Sequence, residues 1–526
     1  MKKYTVTLLL IFNALFILAQ IPHFSCGTSS SKSKWLQDYQ KDPQRYLSSL
    51  QNRGGVTYLP LSLTIVGSDD SLGMVPVEGV LSSFCQLNRD FEGTGLQFFI
   101  EGNIRYIYES AFYIHDSVKA GGIRMLQYNI PNTINVYFVA SPAGNCGYNL
   151  PYAGIAMNNN CIDGHTFAHE MGHCLNLPHT FLGWEGGISY NGSPVSVFNS
   201  PAPERVTINY TDFKDTLYLN DTLIVDTVFV ERVPRSGSQS NCNTAADGFC
   251  DTPSDYLAFR WYCTSTNSIS ATRQLDPDSV AFFSDGWYIM SYAYDECQVG
   301  FSNEQINAMN AFVVNEKPNW LYNQNPIRDS VGAAQLIYPA PSQIIPATNP
   351  RFTWQNTSGA THYLIEVYKE PYATNQIVEK HITTDTFFQS SRYFPPRPAI
   401  FPYGWRVRPF NQSVTCVPFS STQFFNTIIP SGMEITESEP NLEIDIMPSF
   451  VSKSQQLSLL FKTNIELLKL DFYNVAGQRI FSTENLVEGN NALQISLPDA
   501  MVAGMYFIHM RDEKGRSNTQ KIVVHN

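Results

Sequence analysis

The sequence predicts an α+β domain, a sheet with a histidine-bearing helix beneath it, followed by two β-sandwich modules. Three observations carry this. Strand-like and helix-like patterns alternate between residues 59 and 158. A helical segment then contains the string HEMGHCLNLPH, His169 to His179. After about residue 330 the chain changes to short aromatic-rich strands separated by turns.

The first nineteen residues read as a secretory signal: Lys2 and Lys3 precede an apolar stretch from Tyr4 to Leu18, and Ala19 is a small residue before a cut. Residues 20–54 are polar and weakly patterned, as a pro-segment would be. A strand follows in which Leu59, Leu61, Leu63 and Ile65 alternate toward one face. Val77, Leu81, Phe84 and Phe91 keep helical spacing. Leu96 to Ile100, Ile134 to Ala140 and Ala153 to Asn158 read as further strands, the last being an edge beside which an extended substrate is expected to lie. Between Phe181 and Cys242, TLYLNDTLIVDTVFV forms two β-like runs around Asn220-Asp221, a surface hairpin. PAPSQIIPATNP marks a boundary. Strands around Arg351–Gln355, Tyr363–Tyr368 and Tyr403–Arg408, with Trp354 and Trp405 pointing inward, predict a sandwich. The block from about Pro440 again reads as short strands, with turns at Ala476-Gly477 and Lys514-Gly515.

His169 and His173 stand four apart, so on a helix they share one face and can hold one zinc ion between them. Glu170 follows the first, within reach of a water on that ion. His179 supplies a third imidazole once the chain leaves the helix at Asn176. Three nitrogens and an open position describe a catalytic zinc site, whereas a structural one is closed by four protein ligands. The chain has ten histidines, and His165, His169, His173 and His179 fall within fifteen residues. His165 lies outside the spacing and reads as a helix-start residue.

The formal charge of -12 and the lack of any lysine- or arginine-rich run argue against a nucleic-acid partner. No segment after the signal is long and apolar enough to span a bilayer, so the mature protein is expected outside the membrane and disulfides are permitted. Of the ten cysteines, Cys146 and Cys161 flank a loop and can close it. Cys242, Cys250, Cys263 and Cys297 allow two bridges in three ways. Cys85 and Cys174 sit on apolar helix faces as buried free thiols, and Cys416 stands alone.

HEMGHCLNLPHTF resembles the long zinc-binding consensus of metzincin metallopeptidases, and WYIMSYAYDEC resembles their methionine turn, 111 positions after His179. The strings CGYNLPYAGIAMNNNC, CDTPSDY and YIMSYAYDECQVGFSNEQINAM are similar to the bacterial secreted branch of the pappalysin family, with Cys297, Phe301, Gln305 and Met309 in matching places. The resemblance covers about residues 55–325 and implies a twisted mixed sheet over the zinc helix. It implies Met290 as an apolar floor under the metal and Tyr292 as a group that stabilises the tetrahedral intermediate. It also implies structural Ca²⁺ near the Asp-Thr-Pro segment, where Asp247 and Asp251 are the oxygen donors available. One departure is Asn176, where metzincins have glycine at positive φ; asparagine tolerates that conformation. Cys26-Gly27-Thr28 resembles a pro-segment motif in which a cysteine sulfur caps the zinc and keeps the precursor latent. The last block, through LDFYNVAGQRIFS, Gly504 to Ile508 and KIVV, resembles the sorting domain of the type IX secretion system of Bacteroidetes, with MPSF at Met447 as the nearest opening string. The middle block is similar to fibronectin type III modules through Trp354, the Tyr363 strand and YGWRVR.

The expected organisation is therefore a signal peptide (1–19), a pro-segment (20–54), a zinc metallopeptidase domain (55–328, with an insertion at about 182–241), a fibronectin type III-like sandwich (335–428) and a sorting domain (440–526). The expected activity is peptide-bond hydrolysis, with Zn²⁺ on His169, His173 and His179 and Glu170 as general base. The expected partners are protein or peptide substrates and the type IX machinery, and the expected location is outside the cell or on its outer surface. The competing reading is an inactive adhesin that keeps the same fold.

Overall fold

The computed structural model describes residues 26–28, 31–48, 55–185, 200–213, 217, 220–264, 267–371, 376–428, 444–447, 450–452, 456–461, 467–474, 479–486, 492–497, 501–512 and 516–525. The signal peptide expected at 1–19, the turns at Ala476-Gly477 and Lys514-Gly515, and the centre of the MPSF string lie outside the described residues. The chain divides into two compact units. One comprises 1–338, 352–388 and 404–423; the other comprises 339–351, 389–403 and 424–526.

The first unit opens with two short helices, α1 (Lys34–Lys41) and α2 (Pro43–Leu47). The pro-segment reading gave this stretch no pattern, because only Leu36 and Tyr39 of α1 are buried. Trp35 adds a stack on Tyr39 and an edge-on contact with Phe312. Strand β1 (Thr57–Gly67), helix α3 (Val77–Asp90), strands β2 (Leu96–Ile100) and β3 (Arg105–Tyr108), helix α4 (Ser110–Tyr113), strand β4 (Ile114–His115) and helix α5 (Val118–Tyr128) follow. Strands β5 (Ile134–Val139), β6 (Ser141–Pro142), β7 (Gly147–Leu150) and β8 (Gly154–Asn158) then lead into helix α6 (Thr166–Cys174).

The main sheet runs β2-β1-β5-β8-β7, with β3 also on β1. All pairings are parallel except β7 on β8, so the sheet is mixed. The alternating Leu59, Leu61, Leu63 and Ile65 of β1 face a core shared with Val80, Leu81 and Phe84 of α3 and Phe167 and Met171 of α6. The opposite face is also covered: Val66 packs with Phe112, Met125, Tyr137 and Tyr148. Alternation alone predicts one buried face, but parallel strands are normally sheathed on both.

Three expectations are corrected here. The strand Ala153–Asn158 is not an edge: β8 lies between β5 and β7, and β7 is the outermost strand. The first arm of the insertion's hairpin lies further upstream than expected. Its arms are β9 (Arg205–Asp212) and β10 (Thr222–Phe229), paired from Arg205↔Phe229 to Asp212↔Thr222. Val206 and Ile208 supply the buried positions of that earlier arm. Cys85 and Cys416 are neither free nor alone; they form a disulfide across 331 positions. Sequence spacing gives no hint of a pair so far apart. Around this bridge Thr415 Oγ1 donates to Leu81 O at 2.8 Å, and Lys380 pairs with Glu78 at 2.5 Å. The other bridges are Cys146–Cys161, Cys242–Cys250 and Cys263–Cys297. Cys26 and Cys174 are the free thiols among the described residues.

The remaining elements of the first unit include the paired strands β11 (Ile269–Leu275) and β12 (Ala281–Asp285) and helix α7 (Asn303–Glu316). A capping box starts α7: Ser302 Oγ accepts from the Gln305 N–H, and Gln305 Oε1 accepts from the Ser302 N–H. Strands His362–Lys369 and Ile377–Thr383 pair antiparallel, and Trp354 and Trp405 are buried.

In the second unit, Gln343–Pro346 pairs in parallel with the strand ending at Ile428. From Ile444 onward the strands form a three-stranded and a five-stranded sheet. Every second residue is buried: Leu468, Leu470 and Phe472 on one strand, Tyr506, Ile508 and Met510 on another, and Ile522 and Val524 on the last. This is a β-sandwich pattern. No helix among the described residues is long and apolar enough to cross a membrane.

Candidate metal centre

Helix α6 carries His169 and His173 one turn apart. Gly172 lies between them because an added Cβ would overlap Met290 Sδ. The helix ends at Cys174, and Asn176 takes φ +76°, the left-handed conformation expected for it. Leu177 N–H then donates back to Gly172 O at 2.9 Å, and the chain reverses to bring in His179. Met290 is fully buried.

The three rings converge through Nε2: 3.2 Å separates His169 from His173 and 3.1 Å separates His173 from His179. Their outer nitrogens fix the tautomer. His169 Nδ1 faces Ile289 O at 2.8 Å, His173 Nδ1 faces Leu177 O at 2.8 Å, and His179 Nδ1 faces Glu185 Oε1 at 3.3 Å. Carbonyl and carboxylate oxygens only accept, so each Nδ1 carries the proton and each Nε2 presents a bare lone pair. Burial, reinforced by His179, drives His169 down to about 3 and His173 well below its ordinary range, so both rings are neutral. Three buried lone pairs facing one another cannot satisfy each other without a cation. Their spacing is close to the ~3.3 Å that ~2.0 Å bonds to a tetrahedral metal imply. The donor set therefore fits Zn²⁺.

Glu170 is 1% exposed. Burial pushes its carboxyl up to about 8, against hydrogen bonds from Cys26 and Thr28 that pull it down. The Cys26 thiol and the three imidazoles place their ligand atoms within 4.8 Å of one another. The segment carrying Cys26 lies along the edge strand: Cys26 bridges Gly147 in parallel, Gly27 N–H donates to Gly147 O at 2.9 Å, and Asn149 N–H donates to Thr28 Oγ1 at 2.8 Å. The Cys26 N–H donates to the Tyr292 hydroxyl at 3.0 Å, and Thr28 Oγ1 donates to Glu170 Oε2 at 3.3 Å. The Tyr292 ring is 5.1 Å from that of His179. A cleft of about 250 Å³ opens beside these groups, lined by Glu170, Asp163, Arg260, Tyr294 and Asp295 among others. A separate cavity of about 910 Å³ is lined by Val77, Ile100, Leu364 and Phe410 and contains none of them, so chemistry favours the smaller cleft.

His165 stands outside the cluster, as expected: it precedes α6 and pairs with Asp90 at 2.9 Å. Asp247 and Asp251 do not enter a common donor set. Asp247 is buried and accepts from Thr252 Oγ1 and the Phe249 N–H, while Asp251 accepts from the Glu304 N–H at the start of α7. Among the described residues, only Cys26, His169, His173 and His179 gather three or more such ligand atoms. Glu185 was not foreseen: it belongs to no recognisable spacing and reaches the site only through the fold, while Thr28 was named only as part of the Cys26-Gly27-Thr28 motif, with no contact to Glu170 expected.

Residues 453–525 match the family described as the secretion system C-terminal sorting domain. The chain thus carries a type IX sorting tail. It is a secreted or surface-attached protein of a Bacteroidetes-like bacterium, and the type IX secretion machinery is its partner. No curated protein matches the chain. Solved structures with partial likeness include the Bacteroides ovatus mixed-linkage glucan utilization locus SGBP-B (14% identity, 38% of this chain, 48% of that one, TM-score 0.19). The fibronectin(III)-like modules of Clostridium thermocellum CbhA give 10% identity over 36% of this chain and 92% of theirs, with a TM-score of 0.14. The FN1–FN3 domains of chicken CNTN1 give 12% identity over 37% of this chain and 67% of theirs, with a TM-score of 0.14. The chain spans about half the length of the first of these. At such scores the likenesses carry no argument about activity.

Proposed function

We propose that the chain is a secreted zinc endopeptidase of the metzincin type, similar in its motifs to the pappalysins, made as a latent precursor. The observation that carries this reading is the convergence of three imidazole Nε2 atoms beside a buried carboxyl, Glu170. His169, His173 and His179 would hold Zn²⁺, which when bound supplies a Lewis acid for the scissile carbonyl and makes water a nucleophile near neutral pH.

The chain's own groups do the rest. Glu170, buried beside the three imidazoles, takes the proton of the attacking water and returns it to the departing amine. The Tyr292 hydroxyl donates to the developing oxyanion. An extended peptide adds to the outer strand β7, the place the Cys26 segment holds in the precursor. Cys26 would cap the metal while its N–H engages Tyr292 and Thr28 engages Glu170, so one short segment occupies metal, base and oxyanion donor together.

The test compares processed parent and Glu170→Ala protein for metal content by mass spectrometry and for casein hydrolysis with and without a chelator. The parent is expected to contain zinc and to lose activity on chelation, and the variant to keep zinc but hydrolyse nothing. A parent without transition metal, or a variant that retains turnover, overturns the reading.

A further inference from the structure

We infer that Glu185 is a positioning residue for the third imidazole, acting through His179 and not on substrate. This rests on the zinc reading above.

The three imidazoles are not held alike. His169 and His173 donate their Nδ1 protons to backbone carbonyls, Ile289 O and Leu177 O. His179 alone donates to a carboxylate, Glu185 Oε1 at 3.3 Å. An anionic acceptor polarises the ring more than a carbonyl does, raises the donor strength of the opposite nitrogen and fixes the ring plane. Water barely reaches the pair to weaken it: the His179 and Glu185 side chains are 3% and 13% exposed.

The carboxylate is itself held in place. Its Oε2 accepts from the Gly183 N–H at 2.8 Å, inside a turn closed by Leu182 N–H to His179 O and Trp184 N–H to Phe181 O. Gly183 has φ +106°, which side chains other than hydrogen rarely adopt, and a Cβ there would crowd Val228 at 3.2 Å and touch Val206 at 3.5 Å. Those two valines belong to the inserted hairpin, β9 and β10. Trp184, next in the chain, packs on Tyr256 with ring centroids 4.7 Å apart. The insertion, whose role the sequence does not disclose, therefore closes over the turn that aims Glu185 at His179.

The experiment uses the full chain. Zinc affinity is measured by competition with a chromophoric chelator for the parent, Glu185→Gln and Glu185→Asp, and the melting temperature of each metal-free protein is recorded beside it. Glu185→Gln keeps the shape but removes the charge, so a 10–100-fold loss of zinc affinity is expected with the metal-free melting temperature unchanged. Glu185→Asp keeps the charge with a shorter reach and should recover part of that loss, which also secures the test should the glutamine variant misfold. Parental affinity in both variants, or a loss matched by a fall in metal-free stability, overturns the inference and leaves the zinc reading standing. A parent that binds no zinc removes both.

Discussion

Met290 Sδ fills the space that a Cβ on residue 172 would need, so the helix carrying two histidines and the turn beneath them fit only because residue 172 is glycine. The same glycine accepts the Leu177 N–H that starts the reversal toward His179. One backbone position thus serves both the floor and the third imidazole.

Gly172→Ala is therefore expected to cost about 1–3 kcal/mol through overpacking and to lower metal occupancy. Met290→Ala should relieve much of this in the double variant, giving a non-additive cycle in thermal denaturation. Purely additive effects would mean that the two residues are not in contact.

Cys26→Ala should yield an unprocessed chain that already cleaves a fluorogenic peptide, whereas the unprocessed parent stays silent. Removing the sulfur vacates its place among the three imidazoles and loosens the segment along β7. A variant precursor as silent as the parent would show that latency, if present, has another origin.

Asn176→Gly should leave stability within a few tenths of a kcal/mol, since φ +76° costs glycine nothing. Asn176→Val should lose about 1–2 kcal/mol, because a β-branched side chain resists the left-handed conformation. Equal melting temperatures for both variants would contradict the backbone geometry.

Non-reducing peptide mapping should recover Cys85 and Cys416 in one cross-linked peptide. Cys416→Ser should lower stability by on the order of 2–5 kcal/mol, as expected when a long loop loses its closure. Recovery of the two peptides unlinked without reductant would overturn the pairing.

The candidate site was largely legible in the chain because its parts are local. His169, Glu170 and His173 lie on one helix face, Asn176 supplies a left-handed turn, and His179 follows at once, so helical periodicity and residue chemistry carry the prediction. Met290 and Tyr292 are distant, and only the resemblance of WYIMSY to a methionine turn brought them in. The alternation of Leu59 to Ile65 likewise marked a strand, since a period of two is written into the chain wherever one side of a sheet faces a core.

The sequence by itself determined which residues set two imidazoles one turn apart on a helix, where the chain turns, and which tail directs export. The tertiary structure decided that β7 and not β8 ends the sheet on that side, that Cys85 finds Cys416, that the hairpin pairs Arg205–Asp212 with Thr222–Phe229, and that Glu185 stands behind His179. The physical reason is one of range. Periodicity and turn chemistry act over a few neighbours and can be read along the chain, whereas strand order, cross-links and the partner of a buried nitrogen depend on packing between segments tens to hundreds of residues apart.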